Sequence, residues 1–229
     1  MNGPRAFVEW MSANVGFNPR AGKYSDTLAE LVVADLVAQS RLVAKRVADG
    51  TLRPETNADV TTSSATRNVD LVVWGTVAKG KPTPHIALEN KLILAAHGKA
   101  RKNRLGDIIA FSNHVHNAER MTVAAGLIGI NISAEYTNPD PFAAGMTRPH
   151  FVMEKVVDDT VAIYARIPQR GALEDPYDRP EAFGVIVFRY DGEGAAEFVT
   201  DPPAPQPGHP LHYDGFIRRI AELYEQRRA

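Results

Sequence analysis

The 229-residue chain contains no cysteine, so neither a disulfide framework nor a thiolate zinc site is open to it, and a reducing, cytoplasmic setting is expected. It lacks any apolar stretch near the roughly 20 residues that a membrane span needs. The opening residues, MNGPRAFVEWMSANV, hold no basic segment followed by a long apolar run, so no secretory leader is expected. An excess of one charge is missing too. With 26 basic and 27 acidic residues the net charge is −1, which excludes nucleic-acid binding through bulk charge and leaves any such contact to a local patch. There is no internal repeat, no phosphate-cradling glycine loop and no nucleophile elbow, which removes several enzyme classes.

What is present suits a globular domain. An apolar content of 44% and a charged content of 23% over this length allow one sizeable core with room for an appended subdomain. Residues 25–48 read as one long helix, with Leu28, Leu31, Val32 and Leu36 in a stripe widened by Val33 and Val37, and Gly50 as a stop signal. Residues 51–67 are polar and rich in Thr and Ser, with a short strand near Val60, and Val69 to Trp74 is a compact apolar run that suits a buried strand. A turn over Lys79 to Pro84 leads into His85 to Leu94, where Ile86 and Leu88 alternate with Ala87, Glu89 and Lys91. The alternation puts Glu89 and Lys91 on one face.

A second helix is expected from Lys99 to Arg120, on the spacing of Leu105, Ile108, Ile109, Phe111, Ser112 and Val115, and a further apolar strand from Val123 to Ile132. Beyond Ser133 come a Pro- and Gly-containing loop (Asn138 to Pro149), strands at Phe151 to Ile167 and Phe183 to Tyr190, and a proline-rich segment from Pro202 to Pro210. The last stretch, Tyr213 to Arg228, carries Phe216, Ile217, Ile220, Leu223 and Tyr224 on one helical face. The expected fold class is α/β, a mixed central sheet flanked by helices, with residues 1–133 as core plus N-terminal arm and residues 134–229 as a C-terminal elaboration of accessory strands and helix.

Cleavage of a phosphodiester needs a divalent cation held by hard oxygen ligands, which stabilises charge on the phosphate and lowers the pKa of an attacking water. Asp70 opens one expected strand and Glu89 lies in the next, so pairing about 4.8 Å apart lets both carboxylates converge on one Mg²⁺. Lys91 beside them can position the water, favour its deprotonated form and offset charge on the phosphate. An acid-x-Lys triplet such as Glu89-Asn90-Lys91 is expected roughly once by chance in a chain of this composition. Its context is what distinguishes it: it lies in a strand, 19 positions after the acid that opens the preceding strand, and a helix and another strand follow.

Asp70 followed by Glu89-Asn90-Lys91 in an αβββαβ order resembles the PD-(D/E)xK nuclease superfamily, and the layout over residues 25–132 is similar to that of type II restriction endonucleases. The resemblance implies that Asp70 and Glu89 are metal ligands, that the backbone carbonyl of Asn90 is a further ligand, and that Lys91 is the catalytic lysine. Val69 stands where the motif's name has proline. The implied function is Mg²⁺-dependent hydrolysis of double-stranded DNA, with a homodimer cutting both strands and residues 134–229 serving recognition or dimerisation. Two alternatives stay open at this point: a structure-selective resolvase or repair nuclease with the same site, and a nucleic-acid-binding module of this fold without hydrolysis.

Glu30 is a fourth candidate, because it shares a helical face with Val33, Ala34 and Val37, and many members of the superfamily carry a helical acid there. The competing reading makes Thr27 and Glu30 a capping box. The run from His97 to Arg104 holds four basic residues and no acid, so Lys99, Arg101, Lys102, Asn103 and Arg104 are candidates for phosphate contact at a helix N-terminus. A solvated basic loop ahead of a helix starting at Asn103 is the plainer reading. His114 and His116 face different ways on a helix, so a two-histidine metal site is not expected, and lone His85 or His97 reads as structural. Arg148, Arg166 and Arg170 are candidates for base readout.

Overall fold

The computed structural model describes residues 2–14, 22–76, 80–94, 97–133, 153–192 and 194–228. Six strands form one mixed sheet in the order β1-β2-β3-β4-β5-β6. They are β1 (Leu52–Thr61), β2 (Thr66–Gly75), β3 (Thr83–Ile93), β4 (Val123–Asn131), β5 (Ala182–Arg189) and β6 (Glu197–Val199). The first three run as an antiparallel meander, β3, β4 and β5 are parallel to one another, and β6 is antiparallel to β5. Helices α1 (Gly3–Ala13), α2 (Lys23–Gln39), α3 (Arg41–Ala48), α4 (His97–Ala118), α5 (Met153–Ala165) and α6 (Tyr213–Arg228) complete the architecture. The class is therefore α/β, with strands from both sides of residue 133 in one sheet.

The two faces of the sheet have separate cores. On one face, Phe7 and Met11 of α1, Leu28, Val32 and Leu36 of α2, and Phe216, Ile220 and Leu223 of α6 close over Leu71, Val73, Ile86 and Leu88. On the other, Phe111 and Val115 of α4 meet Val72, Ala87 and Ala124, while Ile108 of α4 and Val157 and Tyr164 of α5 meet Ile128, Ile130 and Val185. Every residue of β4 is buried, as a parallel strand between two helical layers must be.

The helix expected over 25–48 is broken. Ser40 leaves the helical conformation (φ −116°, ψ 116°) and its hydroxyl accepts from the Val43 N–H, which ends α2 and caps α3. Because α2 begins at Lys23, Thr27 and Glu30 lie inside it and form no capping box. The strand near Val60 is ten residues long. The strand expected from Phe151 to Ile167 is instead helix α5 from Met153 to Ala165, followed by a turn. Val156, Val157, Thr160 and Tyr164 are the buried ones among its described side chains, a helical spacing that tertiary packing favours over the β preference of its branched side chains. The loop expected from Asn138 to Pro149 lies outside the described residues.

Candidate active site

The β2–β3 ladder runs from Gly75 opposite Thr83 to Leu71 opposite Leu88 and stops there. At this point β1 and β2 both change phase. Leu71 and Val69 are two residues apart yet belong to opposite cores, and so do Leu52 and Ala58 on β1. The irregularity is centred on Asn57, whose φ of 51° is left-handed, and on Asp70 across from it. Where the ladder ends, the Asn90 N–H finds a side chain in place of a strand carbonyl: Asp70 Oδ2 accepts it at 2.7 Å.

Asp70, Glu89 and Lys91 are brought together here. Lys91 Nζ lies 2.8 Å from Glu89 Oε1 and 3.7 Å from Asp70 Oδ2, with the lysine and Asp70 side chains about a fifth exposed. Sequence reasoning missed a fourth member, Arg67, whose Nη2 donates to Glu89 Oε1 at 2.9 Å. It also reaches the Asp107 carbonyl of α4 at 3.4 Å, and its guanidinium lies over the Phe111 ring. Arg67 precedes Asp70 by three positions in a polar stretch that carries no apolar alternation. Only the folded register brings it to Glu89.

Glu89 is almost fully buried, and its carboxyl is pushed above the ordinary range, first by burial and then by the Asp70 charge, with Lys91 and Arg67 opposing. Its second oxygen, Oε2, is buried with no hydrogen-bond partner. A buried carboxylate oxygen that no protein donor satisfies is costly. Glu89 and Asp70, which Lys91 joins, make a carboxylate pair of the kind that Mg²⁺ takes, one or two carboxylates with the rest supplied by water and phosphate. The fit is to that mode alone: no cluster of three or more His, Cys, Asp or Glu with metal-holding geometry occurs among the described residues.

On the other face of β3 the Asn90 side chain donates to the Ser25 carbonyl of α2 at 3.2 Å. Glu30 is exposed on α2, in a shallow depression with Val33, Pro54, Glu55, Thr56 and Leu71. The awkwardly buried carboxylate expected from its helical face is thus a solvated one, and no hydrogen bond or ion pair joins it to the centre.

Residues 97–104 form the first turns of α4, so no basic loop precedes a helix at Asn103. Arg101 pairs with Asp159 of α5 at 3.3 Å and Arg104 with Asp107 at 3.1 Å, while Lys102 and Asn103 are exposed. The Lys99 side chain, like Arg148, lies outside the described residues. Arg166 is exposed near the end of α5, but Arg170 is fully buried and cannot meet a base edge. His114 Nε2 bonds the Val60 carbonyl at 2.8 Å, and His116 bonds Tyr177 and Glu181, so the two rings point apart as expected. Among the described residues no helix is long and apolar enough to cross a membrane. No protein-family model, no curated protein and no solved structure matches the chain.

Proposed function

We propose that this chain is a Mg²⁺-dependent endonuclease that hydrolyses phosphodiester bonds in double-stranded DNA, a sequence-specific enzyme of the type II restriction kind whose restriction-endonuclease-like core spans residues 25–132. The observation that carries the reading is the convergence of two carboxylates and one ammonium, Asp70, Glu89 and Lys91, within 2.8–3.7 Å where the β2–β3 ladder ends. The order of two consecutive helices, three strands, a helix and a strand over these residues supports it.

Asp70 and Glu89, with the Asn90 carbonyl, would hold the cation, and Glu89 Oε2 is the free acceptor that such a ligand satisfies. Mg²⁺ bound there supplies charge stabilisation on the phosphate and a lower pKa for the attacking water. Lys91 donates to the attacking water and to a non-bridging phosphate oxygen, so its charge stands where negative charge grows. Arg67 keeps the Glu89 carboxylate oriented and its charge partly neutralised. The water oxygen bonds to phosphorus as the bond to the 3′ oxygen breaks; the water proton leaves to solvent, and the departing 3′ oxygen takes a proton from solvent to become the 3′ hydroxyl. A homodimer presents two such centres, one for each strand.

The test compares the protein with its Lys91→Ala variant on phage-length duplex DNA, with Mg²⁺ or with EDTA, and sequences the fragment ends. Discrete Mg²⁺-dependent fragments whose rate falls by roughly 100-fold or more in the variant are expected. Smeared products would replace the sequence-specific reading with a structure-selective or nonspecific one. Intact DNA, including branched junctions, would overturn hydrolysis.

A further inference from the structure

A groove of about 470 Å³ opens between the β1–β2 turn and the solvent side of α4. Ser63, Ser64 and Thr66 stand on one wall, Asn113 and Asn117 on the other, and Arg67 lies at its base. None of its lining residues is acidic. His114 also lines it, held in place by the bond from its Nε2 to the Val60 carbonyl.

Arg67 links this groove to the carboxylate centre, since the side chain that lines it also binds Glu89 at 2.9 Å. Arg67, the lining residue of β2 nearest the centre, precedes Asp70 by three residues. At about 3.3 Å per residue the groove therefore begins about 10 Å from Asp70, or roughly three base-pair steps of a duplex. A strand whose phosphate reaches Asp70 and Glu89 has to leave the centre along some wall of the protein. On this side it meets exposed hydroxyls and amides, which can donate to phosphate oxygens without the cost of crowding lysines together.

We propose that this groove seats the DNA backbone flanking the scissile phosphate, with Ser63, Ser64 and Asn113 as neutral donors and Arg67 as the cation that joins groove to centre. The proposal rests on the nuclease reading above. It puts flanking contacts on the far side of the centre from the basic start of α4, where Arg101 and Arg104 are already held in ion pairs.

The test uses the full chain carrying Ser63→Asp and Asn113→Asp together, one acid on each wall, against Ser63→Thr with Asn113→Gln. Both positions are exposed, so an unchanged unfolding midpoint verifies the fold. The probe is a short fluorescein-labelled duplex read by anisotropy with Ca²⁺ in place of Mg²⁺, and cleavage is read in parallel with Mg²⁺. The acidic pair is expected to weaken Kd roughly tenfold and to raise KM with kcat held, with the gap narrowing as salt rises, while the neutral pair stays within about threefold of the parent. Parent-like binding and KM in the acidic pair, with Lys91→Ala still inactive, would overturn the groove and leave the nuclease reading standing. If the parent neither binds nor cleaves the duplex, both fall together.

Discussion

Two buried glutamates, one in β3 and one just ahead of β5, are held in opposite ways. Glu181, just ahead of β5, accepts from Arg170 and is ion-paired with Arg227 on one oxygen, each at 2.9 Å, and accepts from His116 at 3.0 Å and the Ala124 N–H at 2.8 Å on the other. Burial alone would raise its carboxyl, but His116, Arg227 and the Ala124 amide outweigh it and hold it below the ordinary range. Glu89 has both of its cations on one oxygen, none on the other, a second carboxylate beside it and a raised pKa. The saturated glutamate is a structural joint between α4, β4, β5 and α6. The other keeps a buried carboxylate oxygen, Oε2, that no protein donor satisfies.

The largest expected effect of breaking this contrast is on stability at Glu181. Glu181→Ala leaves Arg170 and Arg227 buried without a counter-charge, and a loss of about 3–5 kcal/mol is expected by urea unfolding. Glu89→Gln should stay within about 1 kcal/mol of the parent while abolishing cleavage, because Lys91 and Arg67 keep access to water and the mutation removes an ill-solvated charge. Equal losses at the two sites would end the distinction between joint and ligand site.

A pH titration sharpens the same comparison. His85 is buried against Gly75 and Tyr224, neither ring nitrogen has a partner, and its pKa is lowered to about 4, first by burial and then by Arg228 and Arg46. The unfolded state therefore binds this proton first. Its contribution is complete above pH 6.5 and is lost as pH falls toward about 4. Between pH 6.5 and 4.5 a loss of roughly 1–2 kcal/mol is expected, and His85→Phe should flatten it. Glu181, whose carboxyl is held low, adds its own acid destabilisation from the lower end of that window downward. An unchanged slope in His85→Phe would assign the window to another group.

The sequence made one half of this contrast readable and hid the other. Glu89 and Lys91 share a face because strand side chains alternate, and the apolar runs of β3 and β4 are long enough to announce strands. Arg67 and the Glu181 cluster depend on side chains 11 to 65 positions away, which no local period encodes. Helix α5 was hidden differently: Val156, Val157 and Val161 favour a strand by type, while their spacing against Thr160 and Tyr164 is helical. At Ser40 a single capping hydroxyl divides what the apolar stripe presents as one helix.

The smallest effect expected is at Asn57, across β2 from the centre. Asn57 holds its φ of 51° and donates to Asp26 of α2 at 2.5 Å from an exposed side chain. Glycine relieves the left-handed strain but adds freedom to the unfolded chain, and the lost surface bond is worth little, so Asn57→Gly should change stability by about 0.5 kcal/mol or less and retain cleavage. Asn57→Val cannot adopt that φ without strain, so the strand must straighten or lose stability by about 1–2 kcal/mol. If the kink is what turns Asp70 toward the Asn90 amide, Asn57→Val loses far more cleavage than its stability change explains, and the Glu181 joint, beside β4 and β5, is untouched. Cleavage that falls only in step with stability would show that Asp70 reaches its place without the kink.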